Sequence, residues 1–275
     1  MEIKDKVVLI TGASAGIGAT TAKAFDQAGA KLAIAARRKE KLEEVACELH
    51  DALILETDLS DEAEAAEMVD TTIRHFGRID ILINNAAAII VSPAEIVSSK
   101  DLLQAFRTNL IAPVIATQRA IQFMKKNGGG HIINVGSPGF MMGIPFYAPY
   151  VCSKAAFSAW TRTLQAEIAG TNIAVSEYFP GYVLTDSLPE SRIGRVEQDF
   201  LISEKQNAIA RHFTKSQSPE EIAHQLLKLA RHPKPLTYSS FSVRIGAWIA
   251  LFSSFRLNLA KEMAATARRK QTIFF

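Results

Sequence analysis

Six short aliphatic runs alternate along this chain with segments of helix length and composition, and this alternation limits the fold more than any single motif does. The runs are Lys6 to Ile10, Lys31 to Ala35, Ala52 to Glu56, Ile79 to Asn84, His131 to Val135 and Ile173 to Tyr178. Between them lie Ile17 to Ala28, Lys39 to Leu49, Asp61 to Phe76, a long stretch around Leu102 to Lys126, and Ala155 to Ala169. A strand that is apolar throughout must be covered on both faces, and a helix after each strand supplies the cover. With right-handed crossovers this predicts an α/β fold built on a doubly wound parallel sheet. Gly29 closes the first helix, and Gly128-Gly129-Gly130 supplies a turn before the fifth run. No Pro/Gly/Ser linker and no internal repeat divides the 275 residues. A single domain is expected over residues 1–242, with a helical extension and basic tail over 243–275.

The first strand runs into Thr11-Gly12-Ala13-Ser14-Ala15-Gly16-Ile17-Gly18, which opens a helix. In an open α/β sheet this turn lies where a pyrophosphate would sit, on exposed N–H groups at the positive end of the helix, and glycines remove the Cβ atoms in the way. Gly12, Ser14, Ala15, Gly16, Ile17 and Gly18 are therefore candidate contacts in a Rossmann fold. A tight turn with no ligand is the alternative; the strand before it and the helix after it favour nucleotide. The end of the second strand, where a dinucleotide site reads the adenosine ribose, is Ala35-Ala36-Arg37-Arg38. With two guanidiniums and no carboxylate there, NADP(H) is expected over NAD(H). Otherwise Arg37 and Arg38 begin a solvated helix and pair with Glu40 or Glu44.

Tyr150 and Lys154 are one helical turn apart. A phenol near pKa 10 is a poor acid or base at neutral pH, whereas an adjacent ammonium favours phenolate, so Lys154 is expected to lower the pKa of Tyr150. Ser137 follows the fifth run, at the carboxyl end of a strand, where ligands bind in such sheets. Its hydroxyl suits a substrate carbonyl oxygen beside the phenol, although a turn or cap serine is the plainer reading.

Taken together these residues resemble the short-chain dehydrogenase/reductase family. The likeness runs in order from about Lys6 to Thr185: the TGxxxGxG turn from Thr11 to Gly18, Asp58 in Thr57-Asp58-Leu59, Asn84-Asn85-Ala86, Asn109, Ser137, Tyr150 with Lys154, and Pro180-Gly181 followed by Val183 and Thr185. The resemblance implies a tetrad. Tyr150 would be the general acid/base, Lys154 would lower its pKa and hold the nicotinamide ribose, Ser137 would orient the substrate oxygen, and Asn109 would support a water-linked proton relay. It further implies cofactor contacts at Asp58, Leu59, Asn85, Ala86, Pro180, Gly181, Val183 and Thr185, and a substrate lid over about 186–216. Ala87 replaces the usual Gly of NNAG, Pro138 and Pro149 flank the catalytic segment unusually, and the familiar C-terminal VDGG is absent. Cys152 stands where Ala is common and reads as a small buried residue.

Charge and cysteine content narrow the remaining classes. The net charge is +3, but Arg256 to Phe275 carries five basic residues and one acidic, so the rest is close to neutral. A near-neutral body argues against nucleic acid as a partner. Two cysteines outside any CxxC pair fit a reducing, cytoplasmic setting, and no metal site is expected among six histidines that form no HExxH. No export signal is visible in the short apolar stretch Val7 to Ile10, and Ile245 to Phe255 is too short to span a bilayer.

With Leu188, Ile193, Val196, Phe200, Leu201 and Ile202 of the lid and Ile89, Ile90, Met141, Met142, Phe146, Tyr147 and Tyr182 of the active-site loops, the resemblance implies a mostly apolar pocket, and hence a lipophilic ketone or secondary alcohol. Ile245, Trp248, Ile249, Phe252, Phe255, Leu259 and Met263 recur near helical spacing before Arg268-Arg269-Lys270. This C-terminal amphipathic helix has three candidate uses: covering the core or substrate entrance, pairing subunits in a homodimer or higher homo-oligomer, or peripheral contact with an anionic membrane. The expected activity is that of an oxidoreductase. Its rival is a nucleotide-binding scaffold or sensor that acts through the terminal helix.

Overall fold

The computed structural model describes residues 1–181, 183 and 217–249. Seven parallel strands form one sheet in the order β3-β2-β1-β4-β5-β6-β7. They are β1 (Val7–Thr11), β2 (Lys31–Ala36), β3 (Ala52–Glu56), β4 (Ile81–Asn84), β5 (Gly130–Val135), β6 (Ile173–Phe179) and β7 (Leu236–Tyr238). The helices are α1 (Gly16–Gln27), α2 (Lys39–Ala46), α3 (Glu62–Phe76), α4 (Ser99–Phe106), α5 (Ala112–Met124), α6 (Gly139–Met142), α7 (Ala148–Glu167), α8 (Pro219–Arg231) and α9 (Phe241–Ile249).

Alternate residues of each strand feed two separate cores, as a doubly wound sheet requires. In β1, Val8 and Ile10 pack with Phe25, Leu226 and Leu229 from α1 and α8. Leu9 points the other way, toward Val69, Ala116 and Met124 from α3 and α5. Because β2 and β3 extend from one side of β1 and β4 to β7 from the other, the connections diverge at β1 and β4. That divergence opens a crevice at the carboxyl ends of these two strands.

The structure departs from the sequence expectation in three places. The stretch around Leu102 to Lys126 is not one helix: a π-helical segment, Arg107–Ile111, joins α4 to α5. Pro113 has no N–H to give the carbonyl of Asn109, and the backbone widens instead, with Ala112 N–H donating to Arg107 O. The fourth strand starts at Ile81 because Asp80 turns its carboxylate to the backbone; Asp80 Oδ2 accepts from Val7 N–H at 2.9 Å. Finally, α8 and β7 lie beyond the sequence-predicted elements. Ser218 caps α8 by accepting from Glu221 N–H, a legible Ser-x-x-Glu signal, whereas three-residue β7 carries almost no pattern.

In α9, Val243 and Ala247 are buried, and Phe241, Ile245 and Trp248 are exposed. The candidate lid, Tyr182, Thr185 and the tail from Phe252 to Lys270 lie outside the described residues.

Candidate active site

The glycine turn is held from two sides. Gly12 leaves β1 at φ +69°, a conformation that favours glycine, and a Cβ on Gly18 would lie 2.2 Å from Gly12 O. From β4, Asn85 Nδ2 donates to Thr11 O at 2.9 Å, while Thr11 Oγ1 accepts from the N–H groups of Asn85 and Ala86 at 3.0 and 3.1 Å. Asn85 and Ala86 thus brace the turn. Ala15 precedes α1 with no side-chain cap, and no acidic residue stands in the first helical turn. The N–H groups of Gly16, Ile17 and Gly18 and the helix dipole therefore fit an anionic phosphate.

At the adenosine end, Arg38 Nη2 donates to Ser14 Oγ at 3.1 Å, so the side chain reaches across to the glycine turn; Arg37 is exposed. Lys41 takes up Glu44, one of the carboxylates weighed as an arginine partner. Past β3, Asp58 Oδ1 accepts from both the N–H and the hydroxyl of Ser60 at 2.9 Å, and Leu59 is buried.

The second half of the crevice is built by α7. Pro149 occupies its first turn, where a missing N–H costs nothing, and Tyr150 follows. The residue as a whole is partly accessible, but its phenol is buried. Burial raises its pKa, and a hydrogen bond with Ser137 opposes that rise. This departs from the expectation that Lys154 lowers the pKa of the phenol: among the protein's own groups burial raises it, and Ser137 opposes the rise. Gly139 N–H donates to Ser137 Oγ at 3.1 Å, fixing the hydroxyl at the end of β5.

Lys154 is 2% exposed, and its Nζ donates to Val135 O at 2.8 Å. Burial lowers its pKa to about 8, and Glu177 opposes that fall. Phe157 lies under the ammonium, 5.6 Å to the ring centroid.

Asn109, 1% exposed, sits on the π segment. Its Nδ2 donates to Ala88 O and to Ser153 Oγ, both at 2.9 Å, and its Oδ1 accepts from Ala88 N–H. Ser153 Oγ in turn donates to Tyr150 O at 2.9 Å. The side chain of Asn109 therefore ties the loop after β4 to the helix that carries the phenol. Ser153 was not singled out in the sequence; a serine facing inward beside Lys154 was its only trace.

Cys152 is exposed, contrary to expectation, because two residues past Tyr150 is the opposite face of α7. Gly181 N–H donates to Ser239 Oγ at 2.7 Å, Pro180 is half-buried at the end of β6, and Val183 bridges to Gln217. Ile90 and Tyr147 are buried, whereas Ile89, Met141 and Phe146 are half-buried. Phe146 holds φ +68°, an unusual backbone for a bulky residue and one often met beside functional sites.

Residues 6–195 match the family model described as short chain dehydrogenase. The chain belongs to the short-chain dehydrogenase/reductase family. The uncharacterized oxidoreductase YxnA of Bacillus subtilis is 32% identical over 240 residues, which cover 85% of this chain and 65% of that protein. An uncharacterized oxidoreductase of Staphylococcus saprophyticus is 35% identical over 246 residues, 88% of this chain and 96% of the relative. Among solved structures, the 3-ketoacyl-(acyl-carrier-protein) reductase of Brucella melitensis, complexed with NADH, superposes with a TM-score of 0.73 at 28% identity. That match covers 86% of this chain and 96% of the other. This member of the short-chain dehydrogenase/reductase family is thus an NAD(P)-dependent oxidoreductase. Among the described residues no group of three or more His, Cys, Asp or Glu side chains could hold a metal ion, and no helix is long and apolar enough to cross a membrane.

Proposed function

We propose that this short-chain dehydrogenase/reductase transfers hydride between NADP(H) and a lipophilic ketone or secondary alcohol, with Tyr150 as general acid/base. The observation that carries the reading is the convergence of Ser137, Tyr150, Lys154 and Asn109 at the carboxyl ends of β4 and β5, beside an uncapped helix N-terminus braced by Asn85. When bound, the nicotinamide supplies or accepts the hydride. A buried phenol with a raised pKa is neutral near pH 7 and so stands ready to donate its proton to a forming alkoxide. Ser137, already hydrogen-bonded to that phenol, places a second donor beside the same oxygen. Lys154, with its pKa near 8, carries its charge at neutral pH and is positioned to hold the nicotinamide ribose. Asn109 keeps the loop and the catalytic helix in register and supports the proton relay.

Preference for NADP(H) is supported by Arg38, which is anchored on Ser14 and able to turn its fork to a 2′-phosphate, with Arg37 exposed beside it. The apolar residues Ile89, Ile90, Met141 and Tyr147, on the segments that follow β4 and β5, support a lipophilic substrate. Residues 1–242 are read as the catalytic unit of a cytoplasmic homodimer or higher homo-oligomer, and 243–275 as an extension with three candidate uses: covering the core or substrate entrance, pairing subunits, or peripheral membrane contact. The deciding experiment titrates purified protein with NADPH and NADH by nucleotide fluorescence, then assays apolar carbonyls with the tighter cofactor. NADPH is expected to bind more tightly, and Tyr150→Phe to abolish turnover while binding persists. Tighter NADH overturns the arginine assignment; a Tyr150→Phe enzyme that turns over as fast as the wild type overturns the acid/base assignment.

A further inference from the structure

Parallel pairing sets Asn84, Asn134 and Glu177 in register across β4, β5 and β6. Their side chains emerge side by side on one sheet face, where Asn84 and Asn134 meet α5 and α7. Asn84 Nδ2 donates to Asn134 Oδ1 at 2.8 Å and Asn134 Nδ2 to Thr161 Oγ1 at 2.9 Å, while Asn84 Oδ1 meets no donor among the described residues. Glu177 differs in bringing an ionisable group to this face. It is 2% exposed, and its Oε1 meets no hydrogen-bond donor among the described residues. Oε2 lies 3.7 Å from Arg162 Nε, whose side chain is more than half exposed. Oε1 would stand 3.2 Å from a Cβ on Gly136, the residue before Ser137.

A buried carboxylate is costly unless hydrogen bonds and charges compensate it, and burial raises the pKa of Glu177. Ser158 and Arg162 oppose that rise most, and Lys154, whose Nζ is held 2.8 Å from Val135 O, the residue before Gly136, adds a buried cation. Lys154, Ser158 and Arg162 follow at four-residue steps along α7 and present one stripe toward β6. The Lys154 ammonium and the Glu177 carboxylate each favour the other's charged form. We propose that Glu177 is a positioning residue for the reaction: from beneath the catalytic helix its carboxylate keeps Lys154 an ammonium at the pH of turnover. This inference rests on the reading above, in which Lys154 serves the nicotinamide ribose.

The direction follows from the surroundings. Burial pulls Lys154 down to about 8, and Glu177 opposes it. Facing Glu177 from α7 are Lys154, Ser158 and Arg162; from β5, the neutral Asn134; and from β7, Tyr238, which interacts electrostatically with both Glu177 and Arg162. Arg162 is largely in water, so Lys154 is the only cation of the set that is itself buried. Without the carboxylate, the ammonium would lose its proton nearer neutrality.

Glu177→Gln keeps the shape and removes the charge. Lys154 titration is read first from urea unfolding between pH 7 and 10.5. The folded pKa lies below the unfolded value, so wild-type stability rises with pH across that window; the part of the rise missing from Lys154→Met belongs to Lys154. In Glu177→Gln that rise is expected to begin about one pH unit lower. An unmoved rise overturns the proposal. NADPH titration over the same range is expected to give an alkaline loss of affinity whose midpoint falls by the same amount in Glu177→Gln. Failure of the wild type to bind NADPH or NADH would sink the cofactor reading, and the unfolding curves would still decide the role of Glu177. If Glu177→Gln does not fold, the double variant with Lys154→Met decides: recovery supports the coupling, and equal failure refutes it.

Discussion

One methyl group tests whether the glycine turn is built for a phosphate or is merely a turn. In Gly18→Ala the new Cβ would lie 2.2 Å from Gly12 O, 2.7 Å from Gly12 C and 2.8 Å from Asn85 Nδ2, against a floor of 3.0 Å that real Cβ contacts keep. Something must move by about 1 Å. Gly12 cannot simply retreat, because it stands at φ +69° and its own Cβ position is 2.8 Å from Ala86 Cα. The Asn85 amide that holds Thr11 O at 2.9 Å is displaced with it. Overpacking of this kind costs about 1–3 kcal/mol, and each weakened hydrogen bond about 1 kcal/mol more. Replacing Gly by Ala within a helix returns up to about 1 kcal/mol. A net loss of about 2 kcal/mol is expected in urea unfolding. A shift of 1 Å at the amides meant for the pyrophosphate is expected to weaken NADPH about a hundredfold by fluorescence titration. Gly77→Ala is the control, since Gly77 has φ +72° and nothing within 4 Å of its Cβ position. It should lose about 1 kcal/mol of stability and no affinity. If Gly18→Ala binds NADPH within threefold of wild type, the phosphate-site argument is wrong.

His131 is fully buried, hydrogen-bonded through Nε2 to Ser176 Oγ at 2.8 Å, and its pKa falls from 6.5 to about 4 because burial disfavours the imidazolium. The unfolded chain therefore binds the proton first on acidification. The neutral ring contributes its full stability above pH 6.5 and loses roughly 3 kcal/mol of it as the pH falls toward 4. Unfolding curves of wild type and His131→Asn should converge over that window, and curves that stay parallel would exclude the effect. For the link between loop and catalytic helix, Asn109→Ala and Ser153→Ala should each destabilise the protein by about 1–3 kcal/mol. Together they should cost clearly less than the sum, because each removes the same 2.9 Å bond; strict additivity would mean that the two side chains are not coupled.

Much of the fold was legible because its signals are local. The aliphatic runs must be buried on both faces, and six of the seven strands begin or end within a residue of their runs. Glycines at the first turn, arginines after the second strand and Tyr150 with Lys154 are likewise fixed by what each backbone position or reaction demands. The long central helix was misread because its pattern is continuous; only Pro113, by depriving the Asn109 carbonyl of a donor, marks the π segment. Cys152 was misjudged from its place in the motif, although its angle on the helix already turns it outward.

The sequence alone therefore determined the layer architecture and the glycine turn after β1, and it singled out Tyr150 and Lys154 as the candidate acid/base pair, since periodicity and residue chemistry are carried by neighbours along the chain. Tertiary structure decided the electrostatics. Whether Tyr150 is held neutral, whether Lys154 sits near pH 8 and whether Glu177 acts on Lys154 depend on burial, on the register of β5 with β6 and on the packing of α7 against them. Such charges are set by residues on separate strands and helices, and only packing brings them within reach of one another.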